Sequence, residues 1–213
     1  MPPENHPSRP SVAVFDFGGV LIDWNPRHLY RQLIPDEREM ERFLAEVTTR
    51  EWHQVQDRGG DPVEATRRLQ ALHPDKHELI GAFYGRFDEM CTHAIPEMAA
   101  LVERLHAAGM PLYLLSNAPN LLESWLRGPA RQRHPFLGLF RDYVVSGTVH
   151  QSKPDAGIYR LTCRVGGFAP EDAVFIDDVL ANVDGARAIG MQAVHHRSTV
   201  ETVAALQSLG LPA

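Results

Sequence analysis

The sequence predicts an α/β fold, a parallel sheet with helices on both faces, interrupted early by a helical insertion. Three observations carry this. A short apolar run near the start ends in Asp-Phe-Gly-Gly. Residues 26–93 then show only helical spacing. After Pro96, strand and helix signals alternate to the end. Alternation of this kind implies parallel strands joined by helical crossovers.

Ser11 to Phe15 (SVAVF) reads as a buried strand followed by a tight loop. The insertion contains His28 to Ile34, Glu37 to Thr49, Pro62 to Leu72 and Lys76 to Met90, each with apolar residues at helical spacing. Asp57 to Pro62 breaks it in the middle, and no strand is expected there. Glu97 to Ala108 is a helix stopped by Gly109. Met110 to Leu115 is a strand closed by Ser116-Asn117, and Asn120 to Leu126 is helical. The arginine-rich segment from Arg127 to Phe140 reads as a solvated loop. Tyr143 to Val145, Ala173 to Ile176 and Gln192 to His195 are strands. Asp155 to Val165, Asn182 to Ile189 and Val200 to Leu209 are helices.

The chain has 213 residues, 44% hydrophobic and 23% charged, with net charge −6. That suits one globular core with a smaller inserted domain. No basic stripe is present, so nucleic acid is not an expected partner. No run approaches the roughly 18 apolar residues of a membrane span. Residues 1–10 read as a loose tail rather than a signal peptide. Cys91 and Cys163 are expected to be free thiols, and a cytoplasmic monomer or homodimer is expected. Eleven histidines are scattered without a ligand pattern, so no zinc site is expected.

Parallel sheets bind ligands at the carboxyl ends of their strands. Four motifs fall there: Phe15-Asp16-Phe17-Gly18-Gly19-Val20-Leu21, Leu114-Leu115-Ser116-Asn117, Ser152-Lys153-Pro154, and Val174-Phe175-Ile176-Asp177-Asp178 continuing to Asn182 and Gly190. Each motif alone is weak, but the ordered set resembles the haloacid dehalogenase (HAD) superfamily. The resemblance implies a Rossmann-like, HAD-like core at residues 11–22 and 94–213, with a helical cap at residues 23–93.

The resemblance also implies Mg2+-dependent hydrolysis of a small phosphorylated metabolite. Asp16 would be the covalent nucleophile. The metal would be held by Asp16, the Gly18 carbonyl and Asp178, with Asp177 orienting the site or binding through water. Ser116 and Lys153 would hold the phosphoryl oxygens, with Asn117 and the loop Phe17, Gly18 and Gly19 beside them. The chemistry is consistent, because a carboxylate attacking an anion needs positive charge close by, and Mg2+ prefers hard oxygen ligands. In the cap, Trp24, Trp52, His53, Gln56 and Arg58 are candidate substrate contacts. Arg58 stands out because a guanidinium suits phosphate or sugar hydroxyls.

One departure matters. Phosphatases of this superfamily usually carry a second aspartate two positions after the nucleophile, where this chain has Gly18. The strings FDFGGVLIDWNP and LLSNAPN resemble a bacterial branch that includes sugar-1-phosphate phosphatases, whose leaving group would need less acid help. Asp23 and His53 are candidate replacement acids. Alternatives are a phospholigand-binding or regulatory protein with little turnover, a phosphotransferase or mutase, and a 2-haloacid dehalogenase. The Asp177-Asp178 pair argues against the dehalogenase.

Overall fold

The computed structural model of the chain describes residues 9–213. The expected tail at residues 1–10 lies almost wholly outside them.

The core is a five-stranded parallel sheet. Its strands are β1 (Val12–Phe15), β4 (Leu112–Ser116), β5 (Asp142–Val145), β6 (Ala173–Asp177) and β7 (Gln192–His195), in the order β5-β4-β1-β6-β7. β1 is central and buried on both faces, which explains its unbroken apolar sequence. Ala13 and Phe15 pack into one core cluster, while Val12 and Val14 pack into the other with Tyr159 and Phe175. Successive strand residues point to opposite faces. Each large apolar side chain buried this way contributes about 1.5–3 kcal/mol.

The covering helices are α6 (Pro96–Ala107), α7 (Leu121–Arg127), α10 (Ala156–Gly166), α11 (Leu180–Ala188) and α12 (Thr199–Ser208). All match the expected helices to within two residues. Between Arg127 and Phe140 the structure departs from the expected solvated loop. Two short helices form there, α8 (Pro129–Arg133) and a 3-10 turn at Pro135–Leu139. Ala130, Phe136 and Leu137 are buried, and Arg131 donates to the Leu126 carbonyl and the Tyr143 hydroxyl. A further short helix, α9 (Ser146–Val149), follows β5.

The insertion is a helical cap built from α1 (Pro26–Leu33), α2 (Glu37–Glu46), α3 (Arg50–Asp57), α4 (Pro62–Leu72) and α5 (His77–Gly85), followed by a 3-10 turn at Phe87–Met90. Glu37 to Thr49 was expected as one helix, but α2 ends at Glu46 and α3 starts anew at Arg50. Thr49 caps α3, its Oγ1 accepting the Trp52 amide at 3.1 Å. Asn25, Asp36 and Asp61 cap α1, α2 and α4 in the same manner. Tyr30, Met40, Phe43, Ile80 and Phe83 form the cap interior.

A two-stranded antiparallel ribbon, β2 (Ile22–Asp23) with β3 (His93–Ala94), joins cap and core. It brings strand structure to the borders of a region expected to have none. No helix among the described residues is long and apolar enough to cross a membrane. Cys91 and Cys163 are free and buried.

Candidate active site

Asp16 follows the last residue of the central strand, and the loop Phe17–Leu21 turns directly beyond it. Its Oδ1 accepts the Phe17 amide at 2.7 Å and lies 2.8 Å from Lys153 Nζ. Lys153 also donates to Asp177 Oδ2 at 2.7 Å and to the Leu115 carbonyl at 3.0 Å. One ammonium therefore bridges the carboxylates that follow β1 and end β6. Oxygens of Asp16, Asp177 and Asp178 lie within 4.8 Å of one another.

These groups shift each other's titration. Burial pushes the Asp16 carboxyl up to about 7, with Lys153 pulling down and Asp177 pushing up. Burial disfavours the Lys153 ammonium, but Asp16 and Asp177 outweigh it and hold the lysine above its ordinary value. Asp178 is raised by burial and by Asp177.

The supporting contacts are specific. Asp177 is fully buried, and its carboxylate accepts the Val179 amide at 2.7 Å and Asn182 Nδ2 at 3.1 Å. With Lys153 it is saturated, which fits an orienting group better than a direct ligand. Asp178 is the more exposed of the pair. Asn117 clamps the Lys153 backbone from both sides, Oδ1 accepting its amide and Nδ2 donating to its carbonyl, each at 2.9 Å. Asn117 therefore positions Lys153 and lines the same cavity. Ser116, the last residue of β4, is buried in the cavity wall.

Gly18 and Gly19 differ in what they require. A side chain at Gly18 would first meet Trp24 Cβ at an ordinary 3.6 Å. Gly19 has φ +76°, and a Cβ there would sit 2.6 Å from Asp178 Oδ2. Gly19→Ala should therefore strain the backbone and displace the Asp178 carboxylate. Strain of about 1–3 kcal/mol, expressed at the Asp178 carboxylate, corresponds to a roughly 5–150-fold higher Mg2+ requirement, readable by titrating turnover with Mg2+.

The cavity above this centre has a volume of about 750 Å³ and is walled by both core and cap. Phe17, Gly18, Gly19, Ser116, Asn117, Lys153 and Asp178 form its floor. Trp24, His53 and Arg58 line it from the cap side. Trp52 and Gln56 do not. Trp52 packs against Phe83 and Tyr84 inside the cap, and the buried Gln56 amide donates to the Trp52 carbonyl. Asp23 is also absent from the wall, because it sits on the ribbon bonded to His28.

Asp57 is the site residue that sequence reasoning missed. It ends α3 and lines the cavity, and its backbone carbonyl accepts from Ser146 Oγ of the core. Its Oδ1 is buried without a hydrogen-bond partner among the described residues and lies 3.5 Å from His53 Nε2. Burial pushes Asp57 up to about 7 and His53 down to about 4. Trp24 stacks on the His53 ring at 5.1 Å, and His53 Nδ1 bonds the Tyr84 hydroxyl at 2.9 Å. His53 is buried by Trp24, Phe83 and Tyr84, residues distant from it in sequence, so no local sequence signal announces the pair.

Comparison with known proteins agrees with this geometry. The haloacid dehalogenase-like hydrolase family matches residues 10–190. The sesquiterpene phosphatase astK of Aspergillus oryzae is 25% identical over 198 residues, covering 93% of this chain and 95% of that protein. The phosphoglycolate phosphatase of Escherichia coli is 25% identical over 207 residues, covering 85% and 79%. A predicted HAD-like hydrolase from Porphyromonas gingivalis shares the fold with TM-score 0.69 at 19% identity, covering 94% and 98%. A HAD family enzyme from Bacteroides thetaiotaomicron, solved with magnesium and inorganic phosphate, superposes with TM-score 0.61 at 19% identity, covering 87% and 93%. The chain belongs to the haloacid dehalogenase-like hydrolase family.

Proposed function

We propose that the protein is a Mg2+-dependent phosphatase that hydrolyses a small phosphomonoester through a phosphorylated Asp16. The observation that carries this is the convergence of Asp16, Asp178 and Lys153 at the ends of β1 and β6, under one cavity. A pure phospholigand binder has no use for a buried carboxylate facing the ligand's phosphorus. Our reading places the core at residues 11–22 and 94–213 and the cap at residues 23–93. It also places the protein in the cytoplasm, where the unpaired Cys91 and Cys163 stay reduced.

The donor set fits the metal. Asp16, Asp178 and the Gly18 carbonyl would hold Mg2+ through hard oxygens, with Asp177 behind them. When bound, the ion neutralises phosphoryl charge and favours ionised carboxylates. Lys153 and Ser116 bind the phosphoryl oxygens, and amides of the loop Phe17–Gly19 assist. Asp16 attacks phosphorus, the ester P–O bond breaks, and the alcohol takes a proton. Water then attacks phosphorus, releasing phosphate and Asp16.

The proton in our reading comes from Asp57, which replaces the carboxyl missing at Gly18. Protonated near neutral pH, Asp57 gives its proton to the leaving oxygen and recovers one from the attacking water. His53, neutral at that pH, orients it. Asp57→Asn should slow an alkyl phosphate by about 10²–10⁴-fold. It should leave p-nitrophenyl phosphate, whose leaving group needs no proton, far less affected. Equal losses on both esters would reduce Asp57 to a structural group.

Stability supplies an independent reading of Asp57. Its folded pKa lies above the unfolded 3.8, so the native state favours the protonated form. That contribution is full below about pH 4 and is lost as pH rises towards 7. Asp57→Asn should therefore gain roughly 1–3 kcal/mol over wild type at pH 8. The gain should vanish at pH 4, as measured by denaturant titration.

The finer substrate reading is a sugar phosphate, with the phosphate on the anomeric oxygen. Arg58, Gln54 and Thr49 line the cavity, and the buried Trp24 Nε1 has no hydrogen-bond partner among the described residues. Such groups suit hydroxyls. A second reading is an ester with a hydrocarbon body. Leu44, Phe83, Phe87 and Leu122 line the same cavity, and the relative covering 93% of the chain is a sesquiterpene phosphatase. Phosphate release from glucose 1-phosphate, glucose 6-phosphate and farnesyl phosphate, with and without Mg2+, separates the two. The first reading predicts that the 1-phosphate far outpaces the other two esters. Equal rates for the two sugar esters would sink it, and preference for farnesyl phosphate would establish the second.

A further inference from the structure

The ribbon joining core and cap carries a cluster that the phosphatase reading does not use. Asp23 on β2, His28 in α1 and His93 on β3 each offer a ligand atom, and the three atoms lie within 4.8 Å of one another. Asp23 and His93 are paired across the antiparallel ribbon. His28 Nε2 lies 2.9 Å from Asp23 Oδ2, and the His28 and His93 rings are 5.1 Å apart. Thr92 Oγ1 sits 2.7 Å from His93 Nδ1, which fixes that ring from behind and leaves Nε2 for a ligand. Metal-binding histidines are commonly held by such a partner.

We propose that Asp23, His28 and His93 form a binding site for a borderline transition-metal cation of the Zn2+ class, distinct from the Mg2+ centre. Two imidazoles and one carboxylate with a position open to solvent match the three-ligand sets that hold zinc at about 2.0–2.2 Å. Imidazole nitrogens select Zn2+, Ni2+ or Cu2+ over Mg2+, which prefers oxygen. A simple ion pair would need only Asp23 and His28. The second imidazole, brought from the far end of the insertion, adds nothing to that pair but completes a metal triangle. Sequence spacing hides the set, because its members meet only once the chain has left the core, built the cap and returned.

The location gives the site a consequence. Its ligands come from both chain crossings between core and cap and from the first helix of the cap. A bound cation would tie these three segments together and restrain their relative movement.

The test is calorimetric titration of the full-length protein with Zn2+ near neutral pH, in saturating Mg2+ so that the Asp16 centre is occupied. His28→Gln and His93→Gln are compared with wild type, and both change side chains outside the catalytic cavity. We expect one Zn2+ site in wild type, weakened roughly 10–100-fold or more in each variant. Zn2+ should raise the melting temperature of wild type but not of the variants. Turnover with Mg2+ alone should be unchanged in both. Equal Zn2+ affinity in wild type and either variant would overturn the proposal. So would a wild-type Zn2+ signal that Mg2+ abolishes, which would place the ion at Asp16. Neither outcome depends on whether the protein proves to be a phosphatase.

Discussion

Asp16→Asn should lower phosphate release by at least about 10⁴-fold, with the fold intact. The substitution keeps the shape of the side chain and an oxygen to accept the Phe17 amide, but an amide cannot form the phosphoryl ester. It also removes a buried carboxyl whose ionisation is disfavoured by burial and by Asp177. The variant should therefore be at least as stable as wild type near pH 8. A single-turnover assay beside a thermal melt reads both effects. Retained turnover would show that another residue or a directly activated water carries the chemistry. Lost turnover with lost stability would show only that the site had collapsed.

Lys153→Met should strongly destabilise the core. Lys153 is 4% exposed and bridges Asp16 and Asp177 at 2.8 and 2.7 Å. Methionine fills similar space but leaves two buried carboxylates facing each other. Removing one partner of a buried ion pair costs about 3–5 kcal/mol, or a fall in melting temperature of roughly 10 °C for a chain of this size.

The sign with pH follows from Asp16. Lys153 now pulls its raised pKa down, so the variant's Asp16 sits higher still. A carboxyl whose folded pKa is raised stabilises in its protonated form, and that stabilisation is lost as pH rises. The defect should grow between pH 6 and 9 and shrink in acid. A defect independent of pH would mean that packing, rather than charge, is what Lys153 supplies. Turnover should be lost at every pH, because the phosphoryl oxygens lose their cationic partner.

The three central strands were legible in the sequence because they are buried on both faces, so the apolar runs at 12–15, 112–115 and 173–176 are continuous. The site floor was legible for a related reason. Asp16, Ser116 and Asp177 stand at strand ends, where chain order alone places them side by side. The cap was legible as helical but not in detail. The break between α2 and α3 rests on Thr49 acting as a cap, a signal that the helical spacing of its neighbours masks. The segment from Arg127 to Phe140 read as a solvated loop because of its arginines, yet Phe136 and Leu137 gain more from burial than the chain loses by turning. Asp57 and the hinge cluster of Asp23, His28 and His93 were invisible for one physical reason. Their properties come from contacts between segments far apart in sequence, so nothing in their immediate neighbours signals them.

The most direct test of the central claim is acid quenching during steady-state turnover of a hydrolysed ester, followed by mass analysis of the peptides. We predict one added phosphoryl group on the peptide that contains Asp16, present with Mg2+ and absent from Asp16→Asn. Rapid turnover with no phosphorylated peptide, or with the phosphoryl group on another residue, would contradict the assignment of Asp16 as nucleophile.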